Sequence, residues 1–144
     1  MPMRRTPLLV PALLVLLGHI AAARADAGID VIVNANNPVR TLSAADVRHL
    51  FMHDIASFPD GGDAQPYDNQ PVQTVFYSKI AARSPLQMRA YWARIVFTSS
   101  GSPPLQLHND AEAIATVEKS RSAITYVSDS TPLPRGVKLV LVIP

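Results

Sequence analysis

Not one of the 144 residues is a cysteine, although the chain opens like an exported protein. Small domains outside the cytoplasm often hold themselves together with disulfides, and thiolates are the commonest ligands of structural zinc. Both devices are excluded here, so the fold must rest on an ordinary hydrophobic core. The material for one is present. Hydrophobic residues make up 48% of the chain and the mean hydropathy is +0.14, a globular composition rather than a disordered or multi-spanning one. The length is that of a single domain, without room for a second large catalytic one.

Arg4 and Arg5 form a charged start, Leu8 to Ala23 an apolar run broken only by Pro11, Gly18 and His19, and Ala23-Arg24-Ala25 an A-x-A site. This is the pattern of a secretory signal peptide over residues 1–25, with cleavage expected after Ala25 and a domain over 26–144. The run is short of the roughly 20 apolar residues a membrane-spanning helix needs. The expected location is therefore the periplasm or the exterior, with no membrane span after cleavage. The basic excess also leaves with the leader: residues 26–144 carry ten basic and eleven acidic side chains. A near-neutral exported domain is not expected to bind nucleic acid.

Within that domain, Asp30-Val-Ile-Val-Asn34 predicts a buried strand running into the turn-rich Asn34-Ala-Asn-Asn-Pro38. Ser43-Ala-Ala-Asp46 has the form of a capping box, and Val47, Leu50 and Phe51 continue at helical spacing to about Asp54. Phe58 to Asp63 reads as a compound turn and Ala64 to Asp68 as a brief strand, which Pro66 restricts to an edge or a poorly paired end. Pro71 sits where a first helical turn tolerates proline, followed by the stripe Val72, Val75, Phe76 and Ile80 to about Arg83. Ser84-Pro85-Leu86-Gln87 starts another helix, with Met88, Tyr91, Trp92, Ile95 and Val96 as its buried face. After a loop over Thr98 to Pro104, Asn109 caps a helix carrying Ile114 and Val117. Strands follow at Ala123 to Val127 and Val137 to Ile143. The predicted order is β-α-β-α-α-α-β-β, an α/β domain with a small mixed sheet flanked by helices.

Catalytic chemistry has little foothold in these residues. There is no cysteine nucleophile, no Gly-x-Ser-x-Gly elbow and no Gly-x-x-x-x-Gly-Lys loop, and Ser78 and Lys79 diverge by about 100° on a helix. His49 and His53 stand at i, i+4, but two ligands alone do not make a metal site, and none is assigned. No cofactor is implied. Arg83, Arg89 and Arg94 with Lys79 read as a solvated basic face, because Tyr91 and Trp92 share the apolar stripe of their helix.

Several segments taken in order carry a resemblance. Val31-Ile-Val-Asn34 through Asn37-Pro38-Val39, Leu42-Ser43 through Asp46-Val-Arg-His-Leu-Phe51, Pro59-Asp60-Gly61, Arg89-Ala-Tyr-Trp-Ala-Arg94 with Phe97-Thr98, and Ala123-Ile-Thr-Tyr-Val127 resemble the phosphate-type substrate-binding proteins of ABC transporters. The likeness covers nearly all of residues 29–140 and is to a short variant holding about one lobe of the two-lobed type II periplasmic binding-protein fold. It implies a non-catalytic module binding phosphate or a similar small oxyanion, with a transporter or envelope protein, or a second copy completing the cleft, as partner. The other function class open to this sequence is a ligand-free interaction module of the cell envelope that retains the fold.

The resemblance also locates the ligand. Family members hold an oxyanion on main-chain N–H groups and hydroxyls at the start of a helix bearing an aromatic, commonly in a Ser-Gly-Thr-like segment. Here that stretch is Asp68-Asn69-Gln70-Pro71-Val72-Gln73-Thr74 before Phe76. The implied ligand set is Asn69, Gln73 and Thr74, assisted by Thr41 and Ser43 from the other helix start. Two departures oppose an anion at this place: Pro71 removes a donor N–H, and Asp68 brings a negative charge. The family's Ala-Ile-Gly-Tyr-Val strand has Thr125 in place of glycine. Ser43, Thr41 and Asn69 also have a simpler role available, which is to cap their own helices.

Overall fold

A computed structural model of the protein describes residues 27–98 and 100–144. The signal peptide expected over 1–25 lies outside the described residues. Among those described, no helix is long and apolar enough to cross a membrane.

The frame is a five-stranded mixed sheet. Its strands are β1 (Ile29–Asn34), β4 (Gln65–Asn69), β5 (Leu105–Leu107), β6 (Ala123–Ser128) and β7 (Val137–Ile143), in the spatial order β5-β4-β6-β1-β7. The pairs β6/β1 and β1/β7 are antiparallel, whereas β4 runs parallel to both β6 and β5. A tiny separate hairpin, β2 (Ser57–Phe58) with β3 (Gly62–Asp63), replaces the expected compound turn. Gly61 at φ 93 turns its corner, a conformation that L side chains adopt only with strain.

Among the described residues four α-helices cover the sheet: α1 (Ala44–Phe51), α2 (Gln73–Ala81), α3 (Pro85–Phe97) and α4 (Asp110–Lys119). Period-2 alternation in β1 and β6 sorts them to opposite faces. Ile29, Val31, Val33, Ile124 and Tyr126 point into one core with Val47, Leu50 and Phe51 of α1, Phe76, Tyr77 and Ile80 of α2 and Met88 of α3. Ile32, Ala123 and Val127 point the other way and pack on Ala113 and Val117 of α4. The main core is aromatic at its centre. Phe76 stacks on Tyr126 with rings 3.7 Å apart and 7° from parallel, and Phe51 meets Phe76 edge-on at 4.8 Å.

Both capping boxes form: Asp46 N–H donates to Ser43 Oγ at 3.1 Å, and Gln87 N–H to Ser84 Oγ at 3.2 Å. The expected single helix from Pro71 begins instead as a 3-10 turn over Gln70–Val72. The first helix stops at Phe51, so His53, at φ 62, lies past its end and shares no helix face with His49. The buried stripe expected on α3 is also narrower than its spacing implies. Met88 alone is buried, Tyr91, Trp92 and Ile95 are half-buried, and Val96 is exposed, because α2 is the main element that α3 packs against.

Candidate functional site

Strand β4 ends where the chain turns onto one face of the sheet through α2 and later returns over the other through α4. The carboxyl ends of parallel strands at such a place are where α/β sheets hold ligands. Asp68 and Asn69 occupy that end, both fully buried, with side chains on opposite faces.

Asp68 points toward α2 and accepts four hydrogen bonds. Oδ1 takes the hydroxyls of Tyr77 at 2.9 Å and Tyr126 at 3.0 Å, while Oδ2 takes the amides of Gln73 at 3.1 Å and Gln106 at 3.2 Å. Gln106 is its registered neighbour across the β4/β5 pair. None of the four donors carries a charge. Burial therefore outweighs them and raises the Asp68 pKa to about 6. Burial and the adjacent carboxylate in turn push both tyrosine hydroxyls well above their ordinary value.

Asn69 points to the other face. Its amide donates to Asp110 Oδ1 at 2.6 Å and to the Tyr126 carbonyl at 3.0 Å, tying the end of β4 to the start of α4. Its Oδ1 is buried with no partner. Asn69 makes no capping bond to the turn that follows it.

Above Asp68, α2 and α3 enclose an open cavity of about 480 Å³. Gln73, Thr74 and Tyr77 of α2 form one wall, and Arg83, Met88, Arg89 and Trp92 line the rest with Pro85. Gln73 and Tyr77 thus face the cavity and also reach the carboxylate beneath it. Arg83 lies over the Tyr91 ring, 4.8 Å from its centroid. No carboxylate lines this cavity.

Of the residues singled out in the sequence, Gln73 and Thr74 come together here. Thr41 and Ser43 do not line the cavity; they stand beside β7, where Leu42 N–H donates to the Val140 carbonyl at 3.0 Å. Strands β4 and β7 are three positions apart in the sheet, about 14 Å at the usual strand spacing. Ser43 Oγ and N–H are both engaged with Asp46. Arg83 and Arg89, read as a solvated face, and Gln106, Tyr77 and Tyr126 are additions that the structure makes. No group of three metal-ligating side chains converges among the described residues.

The sequence matches no protein-family model, and no curated protein matches it. Solved structures do match. A phosphate ABC transporter substrate-binding protein from Clostridium perfringens, solved with bound phosphate, superposes with a TM-score of 0.62 at 15% identity, over 79% of this chain and 44% of its own. An ABC-type phosphate transport receptor from Vibrio cholerae gives 0.61 at 14% identity, over 79% and 45%. PstS from Borrelia burgdorferi gives 0.55 at 9%, over 79% and 46%. This chain therefore has the fold of the phosphate-type substrate-binding proteins, and spans less than half the length of the structures it matches.

Proposed function

We propose that the chain is an exported, non-catalytic solute-binding module whose ligand is phosphate or a similar small oxyanion, taken up between α2 and α3. The observation that carries this reading is one cavity holding the Gln73 amide, the Thr74 hydroxyl and two guanidinium groups, with no carboxylate in its lining. Arginine binds phosphate oxygens in pairs, and the first turn of α2 adds the positive end of its dipole. The fold is shared with a protein solved with phosphate bound.

Asp68 beneath the cavity works against a fully ionised ligand, and an open groove leaves much of a ligand wet. Affinity is accordingly weak, in the high-micromolar range or above, or on the order of 5 kcal/mol. A transporter component, an envelope protein or a second copy supplies the opposite wall. Calorimetry with phosphate and sulfate, alongside light scattering, tests this. Arg89→Gln and Thr74→Val are each expected to weaken phosphate binding about tenfold, the value of one charge-assisted or buried hydrogen bond.

One observation favours the ligand-free interaction module instead: the Asp68 carboxylate at the end of β4 already takes up four donors. If neither anion gives heat at millimolar concentration, the solute-binding reading fails and the interaction module stands.

A further inference from the structure

Helix α3 has two apolar sides and uses one. Met88, Tyr91 and Trp92 pack toward the core. On the opposite side Leu86, Ala90, Ala93 and Phe97 follow each other at i, i+4, i+7 and i+11, all exposed. Leu86 keeps 67% of its surface in solvent, Phe97 90%, and Val96 at the margin 52%. At about 100° per residue these four fall within a stripe roughly 60° wide and about 16 Å long, with Arg89 on one flank and Arg94 on the other.

The charged side chains of this segment of the chain have one sign. From Asn69 to Asn109 the sequence contains Lys79, Arg83, Arg89 and Arg94 and no acidic residue, whereas the rest of 26–144 has six basic and eleven acidic side chains. The charged side chains of the segment carrying α2 and α3 are thus all basic, with Lys79 Nζ donating to the Pro144 carbonyl at 2.8 Å. Asp54, exposed and bonded to His49 at 2.9 Å, is the acidic side chain whose charge reaches Tyr91.

We propose that this face of α3 docks on an anionic phospholipid surface, with Leu86 and Phe97 entering the headgroup boundary and Arg89 and Arg94 meeting lipid phosphates from either flank. Apolar residues on one side with long cationic side chains at its margins are the arrangement of helices that lie in a membrane interface. A second copy fits less well, since pairing two such stripes sets cation against cation. A lipid surface supplies both the apolar layer and a continuous sheet of anions. Arg89 also lines the α2/α3 cavity, so the inference is carried by Leu86, Phe97 and Arg94 and does not rest on the oxyanion reading.

Flotation of the exported form, residues 26–144, with vesicles tests it. Binding to equimolar phosphatidylglycerol and phosphatidylcholine is expected to exceed binding to phosphatidylcholine alone by at least about tenfold, and to be reversed by high salt. Arg94→Gln should reduce it about fivefold, and Leu86→Ser with Phe97→Ser about tenfold or more. All three positions are exposed and outside the α2/α3 cavity, so the circular dichroism and any phosphate heat should stay as in the wild type. Equal binding to both vesicle types overturns the proposal, as does a Leu86→Ser, Phe97→Ser variant that binds as tightly as the wild type. Binding to polyglutamate without binding to vesicles also overturns it, and assigns the face to an acidic protein.

Discussion

The Tyr126 hydroxyl donates to Asp68 Oδ1 at 3.0 Å across the parallel β4/β6 boundary, while the ring of the same tyrosine stacks on Phe76. One residue thus joins the aromatic core to a buried acid. An acid whose pKa is about 6 in the folded protein and near 3.8 in the unfolded chain makes stability depend on pH. The folded state holds the proton more tightly, so the associated stability is complete below about pH 4 and lost as pH rises through 6.

Asp68→Asn isolates that contribution. Its stability relative to the wild type should improve by about 3 kcal/mol between pH 4 and pH 7, the value of a shift of about two pKa units. Urea melts of both proteins across this range measure it. A difference that stays flat means folding does not raise the Asp68 pKa.

Ala82 closes α2 at φ 51, ψ 41, the left-handed region where a Cβ is costly. Ala82→Gly should therefore stabilise the protein by up to about 1 kcal/mol, against the usual direction for an Ala→Gly change. A rise in the denaturation midpoint is the expected reading; a fall refutes the assigned cap.

Trp92 is half-buried, edge-on to Tyr91 at 5.0 Å between ring centroids, and lines the cavity. Trp92→Ala should cost about 1–3 kcal/mol, less than the 3–5 typical of a fully buried aromatic. Phosphate entering the cavity should also change its fluorescence. A loss above the upper figure refutes the half-burial of Trp92.

Ser43→Ala should cost about 1 kcal/mol through loss of the capping box. Ser43 Oγ and N–H also lower the Asp46 pKa, so this contribution is present at neutral pH and fades in acid as Asp46 protonates. Phosphate heat should be unchanged, because Ser43 lies outside the cavity. A weakened phosphate response instead places Ser43 in the ligand set.

Local signals were legible in the sequence, and distant ones were not. Both capping boxes, Ser43 with Asp46 and Ser84 with Gln87, span three residues and formed as read. The central sheet with helices on its faces followed from periodicity. Strand β5 was missed because Leu105–Leu107 is only three residues long behind Pro103 and Pro104, and exists through parallel pairing with β4. Asp68 was read as an acid opposing an anion, whereas its surroundings depend on Gln106 and Tyr126, 38 and 58 residues away. Only Gln73 and Tyr77, on the next helix, lay close enough in sequence to hint at the cluster.

The antiparallel ladders of β1 have a consequence for how the chain folds. Val31 pairs with Tyr126 on one side and Leu141 on the other, so the central strand has neither neighbour until residues 123–143 have been made. Loops of this length close slowly, and topologies dominated by such contacts fold late. A growing or partly threaded polypeptide therefore keeps β1 unpaired, and the sheet assembles only once its last two strands are free to join it.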